Sequence, residues 1–510
     1  MELGSSVDSQ ERLRLERKNL SMKKIVIIGA GLGGLACGIQ LQHAGYNVTI
    51  VEKNSHAGGK MMPVKLGDYS FDFGPNTITM PNVFRKVFSN VGESLDDYIE
   101  LIRLERHTKN QFPSGNEFIQ SIYPDEVISQ LKTLDPHGAK HYWAYLKEVQ
   151  RLYKKAEEGF FNRTFSSWGD YLSPSLSKAF LQVRPFEKMD HFHKRFFKNS
   201  EIQQVFNRYG TYIGSSPYVT PATFSMIGYL EMAEGVFTIK GGNPMLAQAF
   251  ANLILKLGGE LKLDTEASEI IIEKQHVKAV ELKDGNRIEA DKVIVNGDFI
   301  TATKKLIKKQ YRPSYPDHRL EAFEPSVSAF VILAGLKNFQ ENIHHHHVFF
   351  SGDYQKEFDE LFVKKELPSD PTIYICHSAQ TDRTISKGSN LFILVNAPAI
   401  ELSDKKTVED YKNKIYNRLE KEGIPVRQEL EEEKVYTPDS IAHLFHAYKG
   451  ALYGVSSHKI SDAFLRPRNS NKDIKGLYYA GGTTHPGGGS PMVTLSGLNV
   501  AKKIIQSNKS

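Results

Sequence analysis

Apolar runs alternate with glycine-rich turns near the N-terminal end of this chain. Lys24 to Ile28 reads Lys-Ile-Val-Ile-Ile, the turn Gly29 to Gly34 follows it, and the next residues are apolar at helical spacing. Val48 to Val51 is a second short apolar run. A strand, a helix that begins at a glycine turn and a second strand make up a βαβ unit. The pattern therefore predicts an α/β fold whose first two strands are parallel.

The pattern changes along the rest of the chain. Residues 81–200 are rich in charges and aromatics and are predicted to be mostly helical. After Gly235–Gly242 the pattern predicts a helix to Leu257 and then short strands, and the stretch from Ser326 to Pro398 is again rich in strand residues. The strands predicted in these regions are Glu260–Leu263, Ala267–Ile272, Val277–Leu282, Lys292–Val295, Ser328–Leu333, Val348–Phe350, Thr372–Cys376 and Leu391–Asn396. Near the end, Gly476 to Ala480 predicts a strand and Met492 to Ile505 predicts a helix.

These changes predict an intertwined domain organisation. Residues 22–105, 235–300 and 471–510 form one dinucleotide-binding domain, because strand, glycine turn and helix patterns recur there. Residues 106–234 form a helical lid, and residues 301–470 form a sheet that would wall a substrate cavity. The dinucleotide-binding domain is therefore assembled from both ends of the chain.

The first glycine turn has the spacing of a dinucleotide-binding loop. Gly29 allows the tight turn, Gly31 lets the backbone approach a pyrophosphate, and Gly34 lets the helix pack closely on the strand. The helix N-terminus then directs N–H groups at the phosphates. Glu52 ends the second strand 18 residues after Gly34, near the spacing of about 20 for an acid that binds a ribose hydroxyl.

Charge and composition exclude some classes of function. The chain has 510 residues, 65 Lys and Arg against 59 Asp and Glu, a net charge of +6 and no recognisable nucleic-acid module. Residues 1–21 are polar and charged, so we expect an extension rather than a signal peptide. His193–Lys198 and Lys304–Lys309 mix cations with apolar residues, and each is either a membrane-contacting segment or an ordinary solvated helix face.

Neither the cysteines nor a run of histidines predicts a metal site. The two cysteines, Cys37 and Cys376, imply no disulfide framework and no zinc motif, which fits a reducing cytoplasm. Four histidines stand in a row at His344–His347. Consecutive side chains on a strand alternate between its faces, so these four cannot all bind one ion. We interpret them as a strand entry and predict no metal.

Several motifs together resemble the bacterial carotenoid desaturase family, whose members are FAD proteins of the wider amine-oxidase-like class. They are the first glycine turn with Glu52, Gly58-Gly59-Lys60, Phe71–Pro75 and Thr484–Gly489. The ending Pro491–Gly497 looks most like the C30 diapocarotenoid oxygenases within that family. The resemblance implies a Rossmann-type, amine-oxidase-like FAD-binding domain with an inserted mixed-sheet substrate domain and a helical, membrane-facing subdomain.

The resemblance also assigns roles to individual residues. It implies FAD as the cofactor, with the pyrophosphate at the first turn, Glu52 on the adenosine ribose, Lys60 near the phosphate or ribityl chain, and His485 as the candidate catalytic residue near the reacting end. The full set of cofactor-binding residues that we predict is Gly29, Ala30, Gly31, Gly33, Gly34, Glu52, Lys53, Gly59, Lys60, Ala267, Gly481, Gly482, Met492 and Val493.

Three functions are compatible with these motifs. The first is oxidation of the terminal methyl group of an acyclic C30 carotenoid, diaponeurosporene or diapolycopene, to an aldehyde. The second is a carotenoid desaturase of the dehydrosqualene or phytoene type. The third is a prenyl-lipid-binding protein without catalysis, against which the intact glycine turn argues. A long apolar polyene substrate resides in the bilayer, so we expect the protein to bind the membrane peripherally. We expect a cytoplasmic protein at the inner face of the cell membrane.

Overall fold

The computed structural model describes residues 23–161, 163–164 and 174–507. The predicted extension at residues 1–21 lies outside the described residues. The strands are β1 Lys24–Ile28, β2 Asn47–Val51, β3 Met62–Leu66, β4 Tyr69–Phe73, β5 Leu101–Leu104, β6 Arg106–Gln111, β7 Glu117–Ser121, β8 Val236–Ile239, β9 Glu260–Lys262, β10 Ala267–Glu273, β11 His276–Leu282, β12 Arg287–Glu289, β13 Lys292–Val295, β14 Ser328–Leu336, β15 His346–Phe349, β16 Ile373–His377, β17 Ser389–Ala397, β18 Leu430–Tyr436 and β19 Leu477–Tyr479.

The α-helices lie mainly between these strands. They are α1 Leu32–His43, α2 Pro81–Ser89, α3 Pro124–Leu134, α4 Pro136–Ala156, α5 Pro174–Gln182, α6 Met189–Phe196, α7 Ser200–Asn207, α8 Ile227–Tyr229, α9 Pro244–Lys256, α10 Phe299–Leu306, α11 Asp317–Glu321, α12 Tyr354–Asp359, α13 Lys405–Lys421, α14 Val426–Glu429, α15 Pro438–Phe445, α16 Ile460–Phe464 and α17 Ser490–Ser507.

A parallel sheet carries the dinucleotide-binding end of the molecule. In the described residues its order is β19-β13-β1-β2-β9, and every pairing in it is parallel. Strand β1 is central and its Ile25, Val26 and Ile27 are buried, as expected for a strand covered on both faces. The predicted βαβ unit is confirmed, and the last strand of the chain joins this sheet, as predicted.

A second sheet dominates the other end. Its order in the described residues is β18-β14-β17-β16-β15-β6-β7, and the pairings are antiparallel except that of β15 with β6. One face packs on helix α13. The opposite face packs on the β3–β4 hairpin, and we call it the hairpin face. Residues alternate between these faces with the period of two that a strand imposes, for example Phe330 and Val331.

The edge of this sheet differs from the predicted domain boundary. Strands β6 and β7 belong to it, although the sequence places residues 106–234 in a helical lid. Strand β6 reads Arg-His-Thr-Lys-Asn-Gln, which has no apolar alternation. It is a strand because β15 and β7 pair with it from both sides, and this long-range pairing is invisible in the local pattern.

The region between β7 and β8 is mostly helical, as predicted, and its core is aromatic. Tyr145 contacts the rings of Phe197 and Phe206 at centroid distances of 5.1 and 4.9 Å. The apolar residues of both basic segments point inward, since Phe196, Phe197, Leu306 and Ile307 are buried. These segments are therefore ordinary helix faces rather than membrane-contacting ones. In the described residues, every helix is too short or too polar to cross a membrane.

Candidate functional site

Four loops meet at the carboxyl edge of the parallel sheet. They follow β1, β2, β13 and β19, and these strands lie side by side in the sheet. Strand order reverses at β1, with β2 on one side and β13 on the other. In open α/β sheets, ligands bind in the crevice at such a switch point. The sheet therefore brings residues near 30, 52, 296 and 481 to one place.

The turn after β1 is held open by glycine. Gly29 has a φ of +100°, which L side chains rarely adopt, and its N–H donates to the Val51 carbonyl at 2.8 Å. Gly31 is the N-cap of α1, and the first turn of that helix contains no acidic residue. The helix therefore directs a partial positive charge at the crevice, and no acidic residue of its own first turn opposes that charge. Ala30 is fully buried between these two glycines.

Glu52 is fixed at the end of β2 by backbone donors. Its Oε2 accepts from the N–H of Ala30 at 2.8 Å, and its Oε1 accepts from the N–H of Asn54 at 3.0 Å. Each carboxylate oxygen has a further lone pair, so the group can also accept from two ribose hydroxyls. The backbone of Thr265 donates to the Glu52 carbonyl at 2.7 Å, which brings the start of β10, with Ala267, alongside.

The second glycine pair closes on the first turn. Gly58 donates its N–H to the Ala30 carbonyl at 2.8 Å, and Gly59 lies so close that an added Cβ would stand 3.3 Å from the Cα of Gly31. Lys53 and Lys60, the two predicted cationic contacts, donate to carbonyl oxygens. Lys53 Nζ binds the His443 carbonyl at 2.8 Å.

Lys60 is half-buried and is bound to a chain segment that precedes the C-terminal loop. Its Nζ donates to the carbonyls of Ala451 at 2.9 Å and Leu452 at 2.6 Å. Burial lowers the pKa of Lys60 to about 8, and the nearby Asp298 carboxylate opposes that change. The structure thus gives Lys60 an anchoring role, and its predicted contact with the cofactor stays a prediction.

The C-terminal loop packs directly on the N-terminal turn. Gly481 has a φ of +117° and donates its N–H to Ser496 Oγ at 3.1 Å. A Cβ added to Gly33 would stand 2.7 Å from the Val493 carbonyl oxygen and 3.4 Å from the Cα of Gly481. The N-terminus of α17 therefore lies beside that of α1. Met492 and Val493 are partly exposed in the first turn of α17, at this junction.

Buried side chains fix the shape of this loop. Arg466 donates from Nη2 to Ser457 Oγ at 2.9 Å, and its Nη1 lies 3.5 Å from the Gly482 carbonyl oxygen. Burial lowers the pKa of Arg466 to about 10. Thr483 Oγ1 accepts from the N–H of Phe299 at 2.8 Å. The loop is therefore held by two separate segments that precede it in the chain, one with Arg466 and one with Phe299.

His485 is buried at the far side of this loop. Its Nε2 is 2.8 Å from the Phe160 carbonyl oxygen, which requires the proton on Nε2. Burial lowers the pKa of His485 to about 4, so the ring is neutral at pH 7. The His485 carbonyl accepts from Asn469 Nδ2 and from Ser496 Oγ, at 2.9 and 2.8 Å. These bonds hold the loop, and the catalytic role of His485 stays a prediction.

Asn296 is the residue that sequence reasoning missed. It follows β13, its N–H donates to the Ile28 carbonyl at 2.8 Å, and its Nδ2 donates to the Ala480 carbonyl at 3.1 Å. Its Oδ1 is buried without a hydrogen-bond partner among the described residues. A Cβ on Gly31 would stand 2.8 Å from this oxygen. An Asn-Gly-Asp triplet directly after a predicted strand was the available signal.

The crevice has the features that a dinucleotide needs. Two helix N-termini converge without acids at the first turn, a paired carboxylate stands at the ribose position, and the orphan Asn296 Oδ1 faces the turn. The fit of FAD rests on this cradle of glycines and N–H groups. When bound there, FAD supplies the acceptor for two electrons in each oxidation.

A buried polar network lies between the helices and β7. Tyr212 accepts from Arg208 Nη2 at 3.2 Å and donates to Glu231 Oε1 at 2.5 Å, while Gln120 Nε2 is 3.3 Å from Glu231 Oε2. Burial raises the pKa of Glu231, and the Arg208 charge opposes the rise. Arg208 Nε has no partner among the described residues. Nothing in the local pattern marks these residues as a group.

Known proteins share this arrangement. The family model of flavin-containing amine oxidoreductases matches residues 32–505. The chain is 31% identical to a 4,4'-diapolycopene oxygenase of Methylomonas sp. over 95% of this chain and 98% of that one. It is 29% identical to a 4,4'-diapophytoene desaturase of Staphylococcus aureus strain Newman over 95% and 99%.

The fold itself is found in solved structures. An oxidoreductase from Methanosarcina mazei superposes with a TM-score of 0.58 at 15% identity, over 94% of this chain and 100% of that one. The predicted fold class, FAD as cofactor and enzyme class are confirmed by these matches together. With the cofactor crevice built from both ends of the chain, this protein belongs to the flavin-containing amine oxidoreductase family as an FAD-dependent oxidoreductase.

Proposed function

We propose that this enzyme oxidises the terminal methyl group of an acyclic C30 carotenoid, diaponeurosporene or diapolycopene, to an aldehyde in carotenoid biosynthesis. The observation that carries the proposal is the C-terminal segment from Gly481 to Gly497. It packs against the first glycine turn, and its last part, Pro491–Gly497, resembles the C30 oxygenases. The names of the relatives from Methylomonas and Staphylococcus haemolyticus support the same reading.

The chemistry of this conversion is balanced with a two-electron cofactor. A methyl group and one water molecule give an aldehyde, four protons and four electrons, so two rounds of FAD reduction would take up the electrons. If molecular oxygen supplies the oxygen atom, one O2 per methyl group gives the aldehyde and water. Labelling with oxygen-18 in water or in O2 identifies the source.

The protein itself would stabilise the negative charge of the reduced flavin and keep water away from the apolar substrate. The N–H groups of Gly482 and Met492 would support the negative charge that reduced FAD carries, because preorganised donors stabilise developing charge. The N–H of Val493 already donates to the Gly489 carbonyl at 2.9 Å. Arg466 and Thr483 keep that loop in place. The apolar substrate would approach beside the β3–β4 hairpin, where aromatic side chains such as Phe73, Phe392 and Tyr436 pack between the hairpin and the sheet.

A patch of exposed apolar residues supports peripheral membrane binding. Leu181, Phe186 and Leu465 are 68%, 70% and 41% exposed. Phe180 joins them, since its ring lies 5.8 Å from that of Phe186 and 4.9 Å from that of Phe464, the neighbour of Leu465. Exposed apolar residues grouped in this way are typical of interaction surfaces. A bilayer is the compartment in which a C30 polyene dissolves.

Defined substrates test the function. In a host that makes diaponeurosporene or diapolycopene, we expect a terminal aldehyde to appear with the enzyme, and much less of it with a Gly31→Val variant, which is expected to bind FAD weakly. Desaturated hydrocarbons as the only products would overturn the proposal. Conversion of colourless diapophytoene to longer conjugated polyenes would instead establish the second candidate, a desaturase, which the Staphylococcus aureus relative favours.

Vesicle flotation tests the membrane surface separately. The Leu181→Ser, Phe186→Ser double variant is expected to bind vesicles of zwitterionic and anionic lipid more weakly than wild type, with activity on detergent-dissolved substrate retained. The control is Val363→Ser, which removes an equally exposed apolar residue outside this patch. Equal loss in both variants, or no loss in either, would contradict the assignment.

A further inference from the structure

Two histidines and a cysteine meet inside the seven-stranded sheet. A ring nitrogen of His345, a ring nitrogen of His346 and the Cys376 Sγ all lie within 4.8 Å of one another. All three residues are at least 95% buried. The strand register explains the meeting, because His346 of β15 stands directly opposite Cys376 of β16, and opposite residues share a face.

Both imidazole rings are held by their Nδ1 atoms. His345 Nδ1 is 2.6 Å from Thr381 Oγ1, and His346 Nδ1 is 2.9 Å from Tyr374 Oη. The Nε2 atoms of both rings are buried and have no hydrogen-bond partner among the described residues. Metal-binding histidines typically bond an oxygen through one nitrogen, which orients the ring and leaves the other nitrogen for the ion.

The position of the unpaired nitrogens beside a thiol distinguishes this group. A buried polar atom without a partner is destabilising, and two such atoms occur beside one thiol. The neighbouring His347 differs, since it stands opposite Ile375 and points to the other face, where its ring stacks on Phe349 at 4.3 Å. Because side chains alternate between the two faces of β15, His346 and His347 lie on opposite faces. Only His346 of these two lies beside Cys376. His345, just before β15, completes the group.

We propose that His345, His346 and Cys376 bind a single thiophilic transition-metal ion, with Zn²⁺ as the representative. Two imidazoles and one thiolate are ligands that bind zinc and copper ions in preference to magnesium or calcium ions. Binding deprotonates the Cys376 thiol, so one proton is released to solvent for each ion bound. This proposal revises the prediction of no metal and is independent of the proposed substrate.

The site would join two neighbouring strands and the segment that precedes the first of them. β15 provides His346, the segment before it provides His345, and β16 provides Cys376. The His377 N–H already donates to the His345 carbonyl at 2.8 Å, so little backbone movement is needed to bring the ligands together. Three protein ligands leave one position of a tetrahedral ion for water or another small ligand.

Metal content and X-ray absorption test the proposal on the full-length holoenzyme. The enzyme is incubated with one equivalent of Zn²⁺, passed over a desalting column and analysed for metal per chain. We expect one ion per chain, with sulfur at about 2.3 Å and nitrogen at about 2.0–2.1 Å from zinc. The same experiment with copper identifies which ion binds more tightly.

Variants separate this site from adventitious binding. Cys376→Ser and His346→Ala are expected to lose the ion and the sulfur signal, while Tyr374→Phe is expected to weaken binding about 10–100-fold by freeing the His346 ring. The matched controls are Cys37→Ser, the other buried cysteine, and His344→Gln, the partly exposed neighbour in the histidine run. Both are expected to keep the ion.

The outcomes that would overturn the proposal are definite. Substoichiometric zinc after loading wild type, or equal zinc in wild type and Cys376→Ser, would exclude the site. FAD content, read from flavin absorbance, is measured on each sample and is expected to be unchanged in Tyr374→Phe and in both controls. If Cys376→Ser and His346→Ala do not fold, the test rests on Tyr374→Phe, which removes only one hydroxyl group.

Discussion

The cofactor edge of the parallel sheet and the hairpin face of the seven-stranded sheet differ in how their buried polar groups are satisfied. At the cofactor edge, backbone groups do most of the bonding, and both carboxylate oxygens of Glu52 have donors. On the hairpin side, Asp72 Oδ2, His345 Nε2 and His346 Nε2 have no partner among the described residues. The cofactor edge is thus largely complete before its ligand arrives, and the unpaired side-chain atoms, Asn296 Oδ1 at that edge included, mark where a ligand is expected.

Glu231→Leu should produce the largest loss of stability of the four variants. It would show how much an unpaired buried side chain costs on this side of the molecule. It leaves Arg208 buried without the carboxylate that Tyr212 links to it, and removing one partner of buried opposite charges typically costs about 3–5 kcal/mol of unfolding free energy. Chemical denaturation measures it. The Arg208→Met, Glu231→Leu double variant is the control, and if it is no more stable than the single variant, charge pairing is not the reason.

Asp72→Asn should stabilise the protein in a pH-dependent way. Burial raises the pKa of Asp72 from 3.8 to about 6, while a backbone bond from Asn243 opposes the rise. The stability that protonated Asp72 provides is present below pH 3.8 and lost as pH rises through about 6. At pH 7.5 the amide should therefore gain up to about 3 kcal/mol, from 1.36 kcal/mol per pKa unit.

Denaturation at pH 7.5 and at pH 4 checks the Asp72 prediction. The difference between wild type and Asp72→Asn should shrink strongly at the lower pH. Asp68→Asn, in the exposed turn of the same hairpin, is the matched control and should change little at either pH. An equal gain at both pH values would mean that ionisation is not the cause.

Gly31→Val tests the backbone-built side. The added Cβ would stand 2.8 Å from Asn296 Oδ1, in the space beside the N-terminus of α1. We expect FAD affinity to fall about 100-fold or more, which is roughly 2.7 kcal/mol, as read by flavin absorbance per chain and by fluorescence titration. Gly297→Ala is the control in the adjacent loop, because the nearest atom to its added Cβ is 3.9 Å away.

Glu52→Gln should have the smallest effect of the four variants. It tests whether the Glu52 carboxylate contributes to FAD affinity. One oxygen that accepts a backbone N–H becomes an NH2 group, and the charge that strengthens both bonds is lost. A hydrogen bond to a charged group contributes about 1.5–3 kcal/mol, so FAD affinity should fall about tenfold. Unchanged affinity would show that the carboxylate serves only the turn. Glu260→Gln, on the neighbouring strand, is the control.

The cofactor end was predictable because its signals are local. Gly29, Gly31 and Gly34 stand in one short segment, and the strand and helix around them follow from periodicity alone. The position of Gly481 near this turn came from the resemblance. Asn296 was missed because a single asparagine after a strand is common, and its meaning arises only when β13 lies between β1 and β19.

The substrate end was less predictable because its contacts are long-range. Strand β6 carries no apolar alternation and is defined by its partners β15 and β7. The Arg208–Tyr212–Glu231 network joins residues with no shared motif. The histidine run shows what a local pattern leaves out. The alternation of side chains argues against one ion bound by all four histidines, but it does not show that Cys376 stands opposite His346.

Asn296 also sets the order in which the enzyme can mature during synthesis. Its amide binds the Ala480 carbonyl, and β19 and α17 complete the crevice from the last residues of the chain. Because proteins emerge from the ribosome N-terminus first, the first glycine turn is made long before β19 and α17. We therefore expect flavin to bind only after these two elements have folded onto the first turn.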